Sequence, residues 1–356
     1  MKILKLFFIA LIGFHVVTAE EPQPQIPKET IKDAWGHTDW VWNFGFASQA
    51  DMGLVTPPEL YKNYLGNHMN VAALQNAKAG DIIWIRAANF QQFYKEVFPK
   101  LKAPIVLIIN DGDECFPSNV TQGIDFEAFL ADKNIIHIFA QNFDYAGKSN
   151  KISHLPIGID FHTIAFRDGG KGCWGQKGTP MEQEAFLNDL LKTLQPTDQR
   201  KKRAYVDFQL NDSLRFAFCR AHVKPGESRE TIFKTIIQTN LIDFGPQICR
   251  GDLWKTKGQY AFSVSPHGNG LDCHRTWEDL ILGCIVIVKT SPLDPLYDGL
   301  PVVIVKDWDE INQKNFDLWI EKYGDAFTNP AYRERLKHQY WMNKIRLAAE
   351  PFKKTT

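Results

Sequence analysis

The stretch Phe262-Ser263-Val264-Ser265-Pro266-His267-Gly268-Asn269-Gly270-Leu271-Asp272-Cys273-His274-Arg275-Thr276-Trp277-Glu278, continued by Asp279-Leu280-Ile281-Leu282-Gly283-Cys284-Ile285-Val286-Ile287-Val288, decides the fold. Tyr260 to Val264 reads as a strand, 266–270 as a tight turn, His274 to Leu282 as a helix and Cys284 to Val288 as an all-apolar strand. A strand that turns into a helix and then into a second buried strand is the repeating unit of a parallel α/β sheet. In open sheets of that kind ligands bind outside the carboxyl ends of the strands, so the turn and the start of the helix lie where a ligand would sit.

The same alternation extends in both directions. Arg203 to Phe208 and Leu241 to Phe244 read as strands, Asp212 to Ala221 and Ser228 to Thr239 as helices, and Pro301 to Val305 as a last strand. Gln313 to Leu347 has helical spacing and is expected to pack across the domains. Upstream, Ile82 to Ile85, Pro104 to Ile109 and Ile135 to Ala140 are short apolar runs separated by the helix-like stretches 90–98 and 125–131. The second of these runs ends at Asn110-Asp111-Gly112-Asp113. His154-Leu155-Pro156-Ile157-Gly158-Ile159-Asp160 leads from a last strand edge into a Gly/Lys-rich loop over 168–178. Residues 20–80, rich in Pro, Trp and Asn, show little periodicity. The expected fold class is α/β, with two Rossmann-like domains, over 20–185 and 186–356.

Length supports that division, because 356 residues exceed what one ordinary core serves. Hydrophobic content of 44% and charged content of 23% are globular values. Lys plus Arg equals Asp plus Glu, at 41 each, so a broad surface for nucleic acid or anionic membrane is not expected, and any anionic ligand must be met locally. Residues 1–19 have the form of a secretory signal peptide: Lys2 and Lys5, an apolar run from Leu6, and Val17-Thr18-Ala19 before Glu20. An uncleaved signal anchor is the alternative, and would be the chain's only membrane contact. Export places the chain in the Golgi or ER lumen of a eukaryote or in the envelope of a bacterium. The six cysteines show no CxxC spacing, which argues against a structural zinc site, and their pairing is not readable. Asn119-Val120-Thr121 is a glycosylation sequon.

The chemistry centres on the turn and helix. Gly268 and Gly270 allow positive φ and close backbone approach, and the following helix start offers unpaired N–H groups to a phosphate. Arg275 adds a bidentate cation, and Glu278, one turn on, can accept from two vicinal hydroxyls. A diphosphate beside a diol is what a sugar nucleotide presents. Read blandly, Arg275 and Glu278 form an i, i+3 surface ion pair. The stretch is neither GxGxxG nor a P-loop, which disfavours a simple dehydrogenase or an NTPase.

Ser263 to Trp308 resembles the donor-binding block of exostosin-like (GT47-type) glycosyltransferases: a strand ending in Ser-Pro-x-Gly, an Arg-x-x-Glu helix, the Leu-Gly-Cys-Ile-x-Ile-Val strand, and Leu-Pro-Val-Val-Ile-Val before Trp308. The resemblance implies a GT-B-like fold of two facing domains and metal-independent transfer from a nucleotide-sugar donor to a glycan or glycoconjugate acceptor. It places Arg275 on phosphate and Glu278 on ribose, within a donor-binding set of Ser265, Pro266, His267, Gly268, Asn269, Gly270, Asp272, His274, Arg275 and Glu278. The chain departs from the family in being short and in lacking an acceptor-domain signature.

For a catalytic base, strand ends of the first domain supply Asp111, Asp113 and His162, with Glu114 and Asp160 beside them. No metal ligand is assigned and no cofactor is expected, except that Asp111-Gly112-Asp113 also has the Asp-x-Asp form that holds Mn²⁺ against a diphosphate. Trp40, Trp42, Trp84 and Trp277 are candidates for sugar stacking or for core. An exported two-lobed solute-binding protein without catalysis is the reading from a different class.

Overall fold

The computed structural model describes residues 38–53, 69–163, 178–210, 219–224, 226–246 and 248–353. The leader, most of the loop 168–178 and most of the helix expected over 212–221 lie outside the described residues. In the first half, β1 (Ile82–Arg86), β2 (Ile105–Asn110), β3 (Ile135–Ala140) and β4 (Ile152–His154) form one parallel sheet in that order. Every residue of β2 is buried. A central parallel strand is covered on both faces, which is why it reads as a continuous apolar run. Helix α1 (Asn43–Gln49) precedes the sheet, and α2 (Phe126–Ala131) starts at Asp125, whose carboxylate accepts from the Ala128 N–H.

The second half opens with α3 (Pro180–Leu191), nucleated by a reciprocal cap between Thr179 and Glu182 with proline at the first helical position. It straddles the boundary expected at residue 185. There follow β5 (Lys201–Val206), α4 (Arg229–Ile236), β6 (Ile242–Phe244), α5 (Arg250–Lys257), β7 (Tyr260–Val264), α6 (His274–Ile281), β8 (Ile285–Lys289) and β9 (Val302–Val305). The strands form a second parallel sheet in the order β6-β5-β7-β8-β9.

The helical stretch at the C-terminus breaks into α7 (Gln313–Tyr323), α8 (Pro330–Arg335) and α9 (His338–Ala349). Its last member returns to the first half. His338, Trp341, Met342, Ile345 and Ala349 are buried in one stripe at helical spacing, against β1, β2, β3 and α1. Backbone hydrogen bonds from Val41 N to Leu336 O (3.0 Å) and from His338 N to Asp39 O (2.7 Å) fix its start. One apolar core joins the halves, with Trp42 and Val106 from the first and Trp277 and Val286 from the second. Trp40, Trp42, Trp84 and Trp277 are all buried, so these four are core and none is placed to stack on a sugar. A disulfide, Cys115–Cys219, links the loop after β2 to the segment between β5 and α4, a pairing that spacing alone left open.

Candidate functional site

The winding of the second sheet reverses between β5 and β7: β5 leads to β6 on one side, and β7 leads to β8 on the other. Connections that depart in opposite directions leave a crevice at the carboxyl ends of the two strands. A cavity of about 420 Å³ occupies that crevice. Its walls are Asp207 and Gln209 after β5, Pro246 and Ile248 after β6, Arg250 and Leu253 on α5, and Gly268 to Gly270 and Asp272 to Arg275 with Glu278 after β7. Asp113, Ile157 and Asp160 of the first half close the far side.

Helix α6 begins at this cavity, and the side chain of Cys273, at its N-cap, forms no capping bond. Its first N–H groups therefore carry the partial positive charge of an uncapped start. Arg275 is largely buried, and its Nε donates to Asp207 Oδ1 at 3.0 Å. Its Nη1 is buried, with no hydrogen-bond partner among the described residues. Beneath it lies Lys257, at 1% exposure, whose Nζ is 3.2 Å from Asp207 Oδ1 and 2.9 Å from Asp279 Oδ1. Burial opposes every charge here. Yet Lys257 and Arg275 hold Asp207 below its ordinary value, whereas burial dominates at Asp279 and pushes it up to about 6. Glu278 is also buried, with Trp254 Nε1 at 3.3 Å from one oxygen and Arg250 Nε at 3.9 Å from the other. Arg275 thus pairs with Asp207 rather than with Glu278, and neither is a surface group.

The glycine turn works differently from its sequence-based reading. Neither Gly268 nor Gly270 has a positive φ. A Cβ on Gly270 would come within 2.5 Å of Asn142 Nδ2 and 2.9 Å of the Asp113 carbonyl oxygen, so the close approach it permits is to the first half of the chain. The neighbouring residues continue this latch. Asn269 Nδ2 donates to Asp113 Oδ2 (3.2 Å), Asp272 N to Asn142 Oδ1 (2.8 Å), and Ile157 N to Asp272 Oδ2 (2.7 Å). Burial raises Asp272 to about 6 despite the hydrogen bonds from Ile157 and Trp277. Ser265, Pro266 and His267 do not line the cavity: Thr276 Oγ1 donates to Ser265 Oγ, the Cys273 thiol to Pro266 O, and Arg229 Nε to His267 O. They hold α6 and α4 in place.

The three groups expected to supply a base separate. Asp111, with a positive φ of 56°, turns inward to Arg86 Nε (2.8 Å) and Asn43 Nδ2 (2.7 Å). Asp113 stays at the exposed cavity rim, so the two carboxylates of Asp111-Gly112-Asp113 engage different partners. His162 lies behind the wall, its Nδ1 3.0 Å from Asp160 Oδ1, and burial lowers its pKa, which favours the neutral ring. Asp160 lines the cavity. Burial alone would raise it, but His162 and Arg250 hold it well below the carboxylate range; Arg250 Nη2 is 2.9 Å away and Thr163 N donates to its other oxygen. Ligand atoms of Asp160, His162 and His274 lie within 4.8 Å of one another. Arg250 already supplies the cation there. His274, the first residue of α6, has its Nδ1 2.7 Å from Gly158 O.

Sequence reasoning missed Arg250, Asp207 and Lys257. Arg250 and Lys257 sit on a short helix, Arg-Gly-Asp-Leu-Trp-Lys-Thr-Lys, whose buried positions are Arg250, Trp254 and Lys257. Two of those three positions are cationic, so no apolar stripe marked it.

No protein-family model matches the chain, and no curated protein matches it significantly. Among solved structures, an α,α-trehalose-phosphate synthase (UDP-forming) from Burkholderia xenovorans in complex with glucose-6-phosphate is 14% identical, with a TM-score of 0.38 over 75% of this chain and 73% of that one. A sucrose-phosphate synthase from Thermosynechococcus elongatus is 11% identical, TM-score 0.38, over 84% and 79%. An E. coli trehalose-6-phosphate structure bound with UDP-2-fluoro glucose is 12% identical, TM-score 0.36, over 77% and 72%. Overlap of that degree decides nothing about chemistry.

Proposed function

We propose that the chain is a GT-B-type glycosyltransferase that takes its nucleotide-sugar donor into the cavity at the switch point of the second sheet and transfers the sugar to a hydroxyl of a glycan or glycoconjugate. One observation carries this reading: Arg275 presents a buried guanidinium nitrogen, without a hydrogen-bond partner among the described residues, beside the uncapped start of α6, in the cavity that Glu278 also lines. A buried donor left unmatched costs about 1–3 kcal/mol, and a phosphate oxygen would satisfy it. Helix start and guanidinium together stabilise a diphosphate as it leaves, without a metal ion. Glu278 accepts the ribose hydroxyls. Five carboxylates line the cavity against two arginines, Arg250 and Arg275. That excess of acceptors suits a polyhydroxyl ligand, and it confines the anion to the neighbourhood of Arg275. The resemblance of 263–308 to exostosin-like transferases supports the same assignment. The disulfide favours an oxidising compartment, in keeping with export.

Isothermal titration of the mature chain with UDP and GDP, in EDTA and then with Mn²⁺, tests the reading. Metal-free binding that weakens roughly 10- to 100-fold in Arg275→Ala, the worth of one or two charged hydrogen bonds, is the expected result. No nucleotide binding in either condition would sink it in favour of a solute-binding role. Binding only with Mn²⁺ would return attention to Asp111 and Asp113.

A further inference from the structure

Among the described residues, one histidine lines the cavity, His274. Its Nδ1 lies 2.7 Å from the carbonyl oxygen of Gly158, and a carbonyl can only accept, so Nδ1 carries the proton. In the neutral ring this leaves the lone pair on Nε2, to which the described residues give no hydrogen-bond partner. The carboxylates nearby are otherwise employed. Asp160 is held by Arg250 and Thr163 N, Asp207 by Arg275 and Lys257, and Asp272 by Ile157 N and Trp277 Nε1. Asp113 stands out at the rim beside Asn269. His274 also adjoins Arg275 in the chain while being tied to the first half, so it bridges the proposed diphosphate place and the opposite wall.

From this geometry we infer that His274 is the catalytic base, its Nε2 taking the proton from the acceptor hydroxyl. The inference rests on the transferase reading. In the step, the acceptor O–H bond breaks and the proton passes to Nε2. The acceptor oxygen forms a bond to the anomeric carbon as the bond from that carbon to the diphosphate oxygen breaks. Its electron pair leaves on the nucleoside diphosphate beside Arg275, and the imidazolium later returns the proton to water. Asp160, whose carboxylate lies within 4.8 Å of a ring nitrogen of His274 and is paired with Arg250, acts as a positioning group that keeps negative charge near the imidazolium.

Release of nucleoside diphosphate from UDP-glucose, UDP-xylose and GDP-fucose, with water as the acceptor, tests the inference on the full mature chain without knowledge of the natural acceptor. His274→Asn keeps an N–H for Gly158 O but has no basic nitrogen. Its turnover of whichever donor the wild type cleaves should fall roughly a hundred- to ten-thousand-fold, with a far smaller change in affinity for the nucleotide. In His274→Ala, added imidazole should restore part of the rate, which a purely structural role would not allow. Wild-type turnover in His274→Asn, a loss of nucleotide affinity as large as the loss of rate, or no cleavage by a wild-type chain that binds the donors would each overturn the assignment. Absence of nucleotide binding by the wild type would be a failure of the transferase reading instead.

Discussion

The two halves are built from the same strand-and-helix unit, but they are wound differently. The first sheet adds β1, β2, β3 and β4 in simple succession, whereas the second reverses between β5 and β7. Only a reversal separates neighbouring connections and opens a crevice, so among the described residues the second half makes the cavity and the first half walls it. Their buried charges differ in the same sense. The first sheet encloses an apolar core, with the largely buried pairs Asp111–Arg86 and Asp160–Arg250 lying outside it, while the second half carries Lys257, Asp207, Asp279 and Arg275 in direct contact at the cavity wall. A cluster of four largely buried ions at the cavity against an apolar sheet core is the contrast that mutation can break.

The largest effect should come from the ions. Lys257→Met leaves Asp207 and Asp279 without their shared cation and should destabilise the fold by about 3–5 kcal/mol, read by denaturant unfolding. Nucleotide affinity should fall with it, because Asp207 then bears on Arg275 alone. A neutral outcome would mean that the cluster is no more than a replaceable part of the core. Next comes the covalent tie between the halves: Cys115→Ser with Cys219→Ser removes a cross-link spanning 104 residues and should cost about 2–4 kcal/mol in thermal or denaturant unfolding. Gly270→Ala, whose methyl would meet Asn142 and the Asp113 carbonyl, should cost about 1–3 kcal/mol. If the turn served only the ligand, the same substitution would weaken nucleotide binding and leave stability untouched.

These residues also mark how far the sequence could be read. The buried strands were legible because parallel strands covered on both faces leave unbroken apolar runs, as at Ile105–Asn110 and Ile285–Lys289. Helix α6 was legible from its apolar face and its place after a turn. Arg275 and Glu278, which the line from strand to turn to helix marked, lie in the wall of a cavity. What sequence could not show was partnership. Nothing local distinguishes Gly270 pressed against Asn142 from a glycine awaiting a phosphate, and Arg250 reaches Asp160 across 90 positions of chain. Helix α3 carries a local signal of its own, the Thr-Pro-Met-Glu cap, just ahead of the boundary expected at residue 185.

Acid should separate the halves by the smallest but most diagnostic effect. Burial lowers His137 and His154 to about 4 and His338 to about 3, and all three lie in or against the first sheet. Each binds a proton more readily when unfolded, so the stability they confer is present above about pH 6.5 and is lost as pH falls toward 4. In the second half burial raises Asp272 and Asp279 to about 6, above the ordinary carboxylate value. These bind protons more readily when folded, so their contribution is greatest below about pH 4 and declines as pH rises through 6. Amide exchange measured at pH 7 and at pH 5 should therefore show β1 to β3 and α9 losing protection relative to β7, β8 and α6, once corrected for intrinsic rates. His338→Phe, which fills the same apolar space without a titrating ring, should shrink that difference. Equal loss of protection in both sheets would show that their shared core couples them too tightly for the two kinds of buried group to act apart.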